Sequence, residues 1–268
     1  MQLIDTHTHL YLSQFDEDRS EVIEAARQVG VDRVYLPNID SSTTAAMLQM
    51  EEDYPGYCFA MMGLHPCSVK ENYQEELDHV KDYLDRRSFV AVGEIGIDLY
   101  WDKTFFEQQK IAFLQQVEWA KEKDIPFVIH SREATDIIIE LLQDHKDDRL
   151  RGIFHCFGGS VEQANKIIDL GLFLGIGGVV TFKKSGLDKT MEQVDLEHVV
   201  LETDSPYLSP SPYRGKRNQS AYVSLVAQKL ADIKGISVEQ VGQITSDNAR
   251  FLFDRVARPV YEEVQKKI

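Results

Sequence analysis

Short apolar runs alternate with longer amphipathic stretches along the whole chain. Most of the short runs are rich in Val, Ile and Phe and are bounded by Gly, Pro or Asp. We predict that they form strands, because they are too short for helices. The predicted strands are Leu3–Leu10, Arg33–Ile39, Cys58–His65, Val90–Ile97, Pro126–His130, Gly152–Phe157, Leu172–Val180 and Val199–Thr203.

The stretches between these runs predict helices that pack one apolar side on a core. The predicted helices are Asp16–Val29, Ser42–Glu52, Gln74–Arg87, Thr104–Lys123, Glu133–Asp144, Ser160–Leu170, Asp188–Gln193, Ala221–Lys234 and Ser237–Arg255. Eight strand–helix units over 268 residues predict an α/β fold, a (β/α)8 TIM barrel, with a doubly wound open sheet as the structural alternative. No linker or shift in composition divides the chain, so we predict one barrel domain over residues 1–268.

The composition, with 43% hydrophobic and 27% charged residues, is ordinary for a globular protein, and no apolar run is long enough to span a membrane. The chain start lacks the features of a signal peptide, and the three cysteines are scattered without a CxxC pair. Both observations favour a cytoplasmic protein without disulfides. The net charge of −15 argues weakly against nucleic-acid binding. Because metal-binding carboxylates inflate that charge, it does not exclude a phosphodiester substrate.

Most of the predicted strands end in a residue that can bind a metal ion or react. The carboxyl ends of barrel strands converge on one mouth, where the chemistry of this architecture takes place. The two histidines of the first strand share a face, because side chains alternate along a strand. The predicted metal ligands are His7, His9, Glu94, His130, His155 and Asp204. This set suffices for two divalent ions (Mg, Mn or Zn) with Glu94 between them, which can activate a shared water and clamp a phosphoryl or carbonyl oxygen.

The same alternation assigns roles to the neighbours of these ligands. Asp5 shares the facing of the two N-terminal histidines and is expected to orient an imidazole. Glu202 is expected to face the same way as Asp204, which follows it by two residues. Arg132 is expected to point toward the mouth of the barrel. Cys156 faces away from the site and is interpreted as a packing residue.

Two further strand-end residues and two glycine groups have less specific signals. We expect His65 to contact substrate or phosphate rather than a metal ion, whereas Asp98 is either a site residue or a loop cap. Gly158-Gly159 and Gly175-Ile176-Gly177-Gly178 are compatible with phosphate-binding loops, but glycine pairs also serve barrel bends and close packing.

The segment after the last predicted strand, residues 205–218, combines cations and tyrosines in an otherwise acidic chain. We expect Arg214, Lys216 and Arg217 to contact phosphate oxygens, while tyrosines can stack on bases. Lys183 and Lys184 add positive charge on the same side. The loops after the seventh and eighth strands are the usual phosphate-binding region of a TIM barrel.

Six motifs occur in order along nearly the whole chain. They are Asp5-Thr6-His7-Thr8-His9, Gly63-Leu64-His65-Pro66, Gly93-Glu94-Ile95-Gly96-Ile97-Asp98, His155-Cys156-Phe157-Gly158-Gly159, Glu202-Thr203-Asp204-Ser205-Pro206-Tyr207-Leu208 and Pro212-Tyr213-Arg214-Gly215-Lys216-Arg217-Asn218. In combination they closely resemble the TatD family of metal-dependent deoxyribonucleases. The chain departs from the family at Ile97-Asp98-Leu99, where Leu-Asp-Tyr is common.

The resemblance implies a metallo-dependent hydrolase barrel with one or two divalent metal ions, and hydrolysis of DNA, typically 3′-to-5′ and exonucleolytic on single strands. It carries the ligand role to the six residues named above and places His65, Arg132 and Arg214 near the phosphate. Related amidohydrolases have a carbamylated lysine where this chain has Glu94.

The expected function is therefore a metal-dependent deoxyribonuclease, a monomer that acts on single-stranded DNA. Asp204, Glu94 and His65 are its predicted catalytic residues, with Asp204 as general base. Alternatives are a hydrolase of small amides, esters or lactones, a deacylase of aminoacyl-tRNA, and a non-enzymatic barrel that keeps a metal ion for stability.

Overall fold

The computed structural model describes residues 2–256, in which eight parallel strands alternate with helices. The strands are β1 (Leu3–Asp5), β2 (Val31–Pro37), β3 (Cys58–Met61), β4 (Val92–Asp98), β5 (Phe127–Arg132), β6 (Gly152–Phe154), β7 (Phe173–Ile176) and β8 (Val199–Leu201). The helices are α1 (Arg19–Gln28), α2 (Thr44–Asp53), α3 (Tyr73–Arg86), α4 (Phe106–Lys123), α5 (Thr135–Asp144), α6 (Val161–Asp169), α7 (Leu187–Gln193), α8 (Val223–Lys234) and α9 (Val238–Asp254). Each predicted strand and helix is present, and the helix ends agree to within a few residues.

The strands pair in chain order and close into a barrel. β1 to β3 form one parallel ladder and β4 to β8 another. Gly93 N–H donates to Met62 O across the β3–β4 seam (3.0 Å), and Thr6 N–H donates to Leu201 O across the β8–β1 seam (3.0 Å). These bonds confirm the predicted (β/α)8 barrel over the doubly wound alternative.

The first strand is shorter than predicted, because its regular ladder ends at Asp5 rather than at Leu10. Beyond that point the backbone still bonds to both neighbours. Thr8 N–H donates to Tyr35 O (3.0 Å), and Asp204 N–H donates to His7 O (2.9 Å). Thr6 N–H, however, bonds to β8, so the regular alternation of side chains is interrupted between Thr6 and Thr8. After this irregularity His7 and His9 both face Glu94.

The lower half of the barrel interior is filled by one buried apolar side chain from each strand or its first flanking residue. These are Ile4, Tyr35, Met61, Ala91, Val128, Ile153, Phe173 and Val200. Helix α9 closes this end with Ala249 and Leu252, and the ring of Phe253 stacks on Tyr35 at a centroid distance of 3.9 Å. The apolar end gives stability and leaves the carboxyl ends of the strands for polar residues.

The elements from Leu3 to Asp254 all belong to this one barrel. The prediction of a single domain over 1–268 stays a prediction, since residues 1 and 257–268 lie outside the described residues. Within residues 2–256, no helix is both long and apolar enough to cross a bilayer.

Candidate metal centre

The six predicted metal ligands meet at the carboxyl end of the barrel, around the buried carboxylate of Glu94. Its Oε2 lies 3.1 Å from His7 Nε2 and 3.7 Å from His9 Nε2. Its Oε1 lies 3.0 Å from His130 Nδ1 and 3.8 Å from His155 Nε2. One carboxylate thus faces a different pair of imidazoles with each of its oxygens.

Asp204 joins the pair on the Oε2 side. Its Oδ1 lies 3.5 Å from His9 Nε2 and 3.8 Å from His7 Nε2. The centre therefore offers two adjoining donor sets, one with two imidazoles and Asp204, the other with His130 and His155, and Glu94 is common to both. Nitrogen and oxygen donors in this number suit two divalent ions of the zinc or manganese type.

Local irregularity in β4 places Glu94 in this position. The pairing of β4 with β5 shifts register between Gly93 and Ile95, so Glu94 has no direct partner in the ladder. A bulge of this kind re-aims a side chain next to an active site.

Three of the imidazoles have their second nitrogen fixed by a neighbour. Tyr11 Oη donates to Pro37 O (2.5 Å), so the Nδ1–H of His9 donates to Tyr11 Oη (2.9 Å) and its Nε2 keeps a free lone pair. His130 Nε2 donates to Asp98 Oδ2 (2.8 Å), which leaves its Nδ1 for the centre. Such outer contacts are how proteins select the tautomer of a metal ligand.

His155 has a carboxylate behind it, within ion-pair distance. Its Nδ1 lies 3.0 Å from Glu202 Oε1, which also accepts the Cys156 N–H (2.6 Å). Glu202 fits there because residue 175 is glycine, where a Cβ atom would lie 2.2 Å from Glu202 Oε2. Gly175 therefore serves close packing against the Glu202 carboxylate.

His65 has the opposite tautomer. The Cys67 N–H donates to His65 Nδ1 (3.0 Å), so the proton of the neutral ring is on Nε2, which lies 3.6 Å from Glu94 Oε1. Burial lowers the pKa of His65 to about 3, and this keeps the ring neutral. A protonated Nε2 can donate a hydrogen bond but has no lone pair for a metal ion.

The donor set fits divalent metal ions. His7 Nε2 is buried and has no hydrogen-bond partner among residues 2–256, a costly arrangement unless something satisfies it. The donor atoms of His7, His9 and Glu94 lie within 4.8 Å of one another, as do those of His7, His155 and Asp204. An ion between these atoms would satisfy the imidazole nitrogen and both carboxylates.

Without a metal ion, protons on the imidazoles partly balance the buried carboxylates. Burial would raise the pKa of Glu94, but the surrounding imidazoles, His7 first among them, hold it well below its usual range. Burial would lower the pKa of His155, but Glu202, Glu94 and Asp204 raise it to about 10. Burial likewise opposes the hydrogen bonds to Asp98 and Glu94 that raise the pKa of His130 to about 8.

Two interpretations from the sequence change. Asp5 does not orient an imidazole: it accepts the Thr203 N–H (2.9 Å) and the Thr203 Oγ1–H (2.7 Å), so it ties β1 to the end of β8. Asp98 is both a site residue and a loop cap, the two roles that the sequence left open. One carboxylate oxygen holds His130 and the other accepts the N–H groups of Tyr100 (2.9 Å) and Trp101 (3.1 Å) in the following loop.

The centre lies in a cavity of about 720 Å³ that opens at the mouth of the barrel. Metal-centre residues form its floor, and its walls include Trp101, Arg132, Cys156, Val179 and Tyr207. Cys156, interpreted above as a packing residue, is therefore partly on the cavity wall.

The predicted phosphate-binding cations differ in their surroundings. Arg132 lines the cavity and is exposed. Arg214 is exposed and stacks on Phe182 at 3.6 Å from the ring centroid, and Lys216 is exposed in the same loop. Arg217 has its guanidinium engaged by both carboxylate oxygens of Asp18 (2.8 and 2.6 Å) and by Gln14 O (2.6 Å). The contact of Arg217 with phosphate stays a prediction. Among these four cations, its side chain has the fewest N–H groups left to bind a phosphate.

Sequence reasoning missed three residues of the site. Tyr11 orients His9, and its position two residues further on was the available signal. Tyr100 and Trp101 are 51% and 70% exposed beside the cavity, and two consecutive aromatics after a strand end with polar residues were the signal there.

Comparison with known proteins agrees with this geometry. Residues 4–254 match the family model described as TatD related DNase. The chain is 37% identical to the Bacillus subtilis protein named uncharacterized metal-dependent hydrolase YabD, over 94% of this chain and 98% of that one. It is 29% identical to the 3'-5' ssDNA/RNA exonuclease TatD of Pectobacterium parmentieri, over 94% and 99% of the two chains.

Among solved structures, the crystal structure of YjjV, a TatD homologue from Escherichia coli K12, superposes with a TM-score of 0.89 at 30% identity. The match covers 94% of this chain and 98% of that one. The chain belongs to the TatD-related DNase family of metal-dependent hydrolases.

Proposed function

We propose that the protein is a 3′-to-5′ exonuclease that hydrolyses single-stranded DNA with two divalent metal ions held by His7, His9, Glu94, His130, His155 and Asp204. The observation that carries this proposal is the Glu94 carboxylate, whose two oxygens face two separate sets of imidazoles on the floor of an open cavity. The name of the Pectobacterium relative gives the substrate class independent support.

The metal ions, when bound, would supply a water of lowered pKa and positive charge opposite the phosphate oxygens. Asp204 lies at the edge of the cavity, with 15% of its side chain exposed. Burial would raise its pKa, but His155, His9 and His7 lower it, so the carboxylate is ionised at neutral pH. It can therefore accept the proton that the attacking water loses.

His65 and Arg132 act on the phosphate side of the reaction. The Nε2–H of His65 can donate a hydrogen bond to a phosphate oxygen without adding charge. Arg132 supplies a charged, planar set of donors from the cavity wall. Preorganised donors aimed at developing negative charge commonly contribute 10²–10³-fold in rate each.

The shape of the cavity favours a single strand and its end. A volume of about 720 Å³ is within the range of pockets that bind small molecules, so it accommodates roughly one nucleotide and its phosphate. Glu94 is only 2% exposed, at the bottom of this cavity. The rigid, wide double helix cannot bring its backbone to that depth, whereas an unpaired end can.

The test is hydrolysis of a 5′-labelled DNA strand by protein supplied with Mg²⁺, Mn²⁺ or Zn²⁺. We expect stepwise shortening from the 3′ end, much slower cleavage of a blunt duplex, and a loss of about 10³-fold or more for Glu94→Ala. Glu140→Ala, at an exposed glutamate of α5, should retain full activity. Intact DNA with every metal ion would contradict the proposal.

The same preparations decide between DNA and the alternative substrates. A neutral ester, a lactone and an aminoacyl-tRNA are compared with the DNA strand at equal concentration. Faster turnover of an uncharged ester would make the phosphodiester specificity wrong while leaving a metal-dependent hydrolase. Release of amino acid from tRNA without shortening of any strand would favour the deacylase.

A further inference from the structure

An aromatic pair lies exposed on the rim of the cavity, after β4. Trp101 is 70% exposed and Tyr100 51%, and their rings meet edge to face at a centroid distance of 4.9 Å. The guanidinium of Arg132 lies 3.7 Å from the centroid of the Tyr100 ring and 5.3 Å from that of Trp101. Large aromatic side chains exposed as a group, rather than singly, generally mark a contact surface.

The pair is held in place by the same carboxylate that positions a metal-centre histidine. Asp98 accepts the backbone N–H groups of Tyr100 and Trp101 with one oxygen and binds His130 with the other. Leu99 N–H donates to Arg132 O (3.0 Å), so strand pairing fixes the arginine beside the loop. The position of the rings relative to the centre is therefore set by the barrel itself.

The polar neighbours of the rings indicate which ligand they fit. Trp101 and Arg132 both line the cavity that contains Glu94 and His65. A flat aromatic face next to an exposed guanidinium matches a nucleobase joined to its phosphate. The net charge of −15 opposes binding of a polyanion by electrostatics alone. Stacking is a contribution to affinity that this charge does not weaken.

We propose that Trp101, supported by Tyr100 and Arg132, is the stacking platform for an unpaired base next to the phosphate that is cleaved. This inference rests on the proposed function, because it needs a nucleic-acid strand at the mouth. It goes beyond that function by naming the residue that makes the site prefer a strand with unpaired bases over a base-free phosphodiester. A base paired in a duplex has no free face and is excluded from the platform.

The two tryptophans of the chain allow a direct measurement of binding. Trp101 is exposed, whereas Trp119 on α4 is buried, with 7% exposed. Intrinsic fluorescence is followed while the metal-loaded protein is titrated with a short phosphorothioate strand that resists hydrolysis, and with the same strand lacking bases. We expect quenching by the base-bearing strand only. Trp101→Phe should abolish the quenching, and Trp119→Phe should retain it.

Steady-state kinetics gives a second readout. Stacking on an aromatic residue is commonly worth several-fold to a hundredfold in affinity per base. We expect Trp101→Ala to raise KM for a base-bearing strand about tenfold with little change in kcat, and to leave KM for a base-free strand unchanged. Trp101→Phe should restore most of the loss, because a phenyl ring still stacks.

Failure of the inference and failure of the proposed function give different results. If strands are cleaved but Trp101→Ala behaves as wild type, the platform is wrong and the nuclease stands. If quenching is absent, or is the same with the base-free strand, the platform is also wrong. If quenching depends on bases and on Trp101 but no strand is cleaved, the platform stands and the nuclease is wrong.

Discussion

At the scale of single residues, the contact made by the outer nitrogen of His9, His65, His130 and His155 decides what the inner nitrogen can do. Tyr11 and Asp98 each accept a hydrogen bond from the outer nitrogen of a histidine, and Glu202 Oε1 lies 3.0 Å from the outer nitrogen of His155. Each of these three rings can then present a lone pair to the centre. The backbone of Cys67 does the reverse to His65. The four histidines that line the cavity therefore divide into three ligands and one donor according to the atoms behind them.

Asp98→Asn tests this division. An asparagine amide facing His130 Nε2 offers donors where the aspartate accepted, so the ring proton is expected to move to Nδ1, the atom that faces Glu94. We expect about 10–100-fold weaker metal binding, with a parallel loss of activity. Competition with a chromophoric chelator measures the first and strand hydrolysis the second.

The matched control is Asp102→Asn in the same loop. Asp102 also accepts a backbone N–H, from Thr104 (2.9 Å), but its other oxygen faces Lys70 (2.9 Å) and not a metal ligand. It should bind metal ions as the wild type does. Equal affinities for the two variants would show that Asp98 does not set the tautomer of His130.

At the scale of elements, the sequence predicts the barrel and the six ligands because converging strand ends leave few alternatives. It does not predict which neighbour a polar side chain meets across a seam. Asp5 bonds Thr203, 198 positions away, although strict alternation predicts that it faces the same way as the histidines. Arg217 pairs with Asp18 over 199 positions. Both partners are set by barrel closure, and no local pattern in the chain encodes them.

Two cations in the loop after β8, Arg214 and Arg217, are expected to have different roles, and substitutions can distinguish them. Arg214→Ala should raise KM for single-stranded DNA and reduce the slope of log KM against log salt by about 0.7, the value for one phosphate contact on a single strand. Arg217→Ala should leave KM unchanged and lower the free energy of unfolding by about 1 kcal/mol, because it removes a partly exposed ion pair with Asp18. The reverse pattern would support the predicted phosphate contact of Arg217 instead.

Strand β7 supports the site from behind through Gly175. In Gly175→Ala the new methyl group would overlap Glu202 Oε2, so Glu202 must move from His155 and Cys156. We expect a loss of about 1–3 kcal/mol in the free energy of unfolding and metal binding weakened about tenfold or more. Urea unfolding and chelator competition measure the two effects.

Gly158→Ala, in the loop after β6, is the control for this substitution. A Cβ at Gly158 meets nothing within 4 Å, so the change should be close to neutral in both measurements. If Gly175→Ala were equally neutral, the space beside Glu202 would not be what requires a glycine there.

At the scale of the whole molecule, the barrel separates stability from chemistry along its axis. The lower end is closed by apolar side chains and α9, and the upper end gathers buried imidazoles and carboxylates. Burying carboxylates and imidazoles so close together costs free energy. In the metal-free protein, protons bound to the imidazoles lower this cost. The raised pKa values of His155 (about 10) and His130 (about 8) are the sign of it.

Metal binding must therefore release protons. From these pKa values we expect both imidazoles to be protonated on both nitrogens at pH 7 in the metal-free protein. Each must lose one proton to offer a lone pair, so filling the centre should release about two protons. Affinity should then rise with pH from 6 to 8, since a lower pH restores the protons that compete with the metal ions. Titration calorimetry in buffers of different ionisation enthalpy counts the protons directly. A heat of binding independent of the buffer would show that His130 and His155 are already neutral, and that the carboxylates around them do not hold protons at the centre.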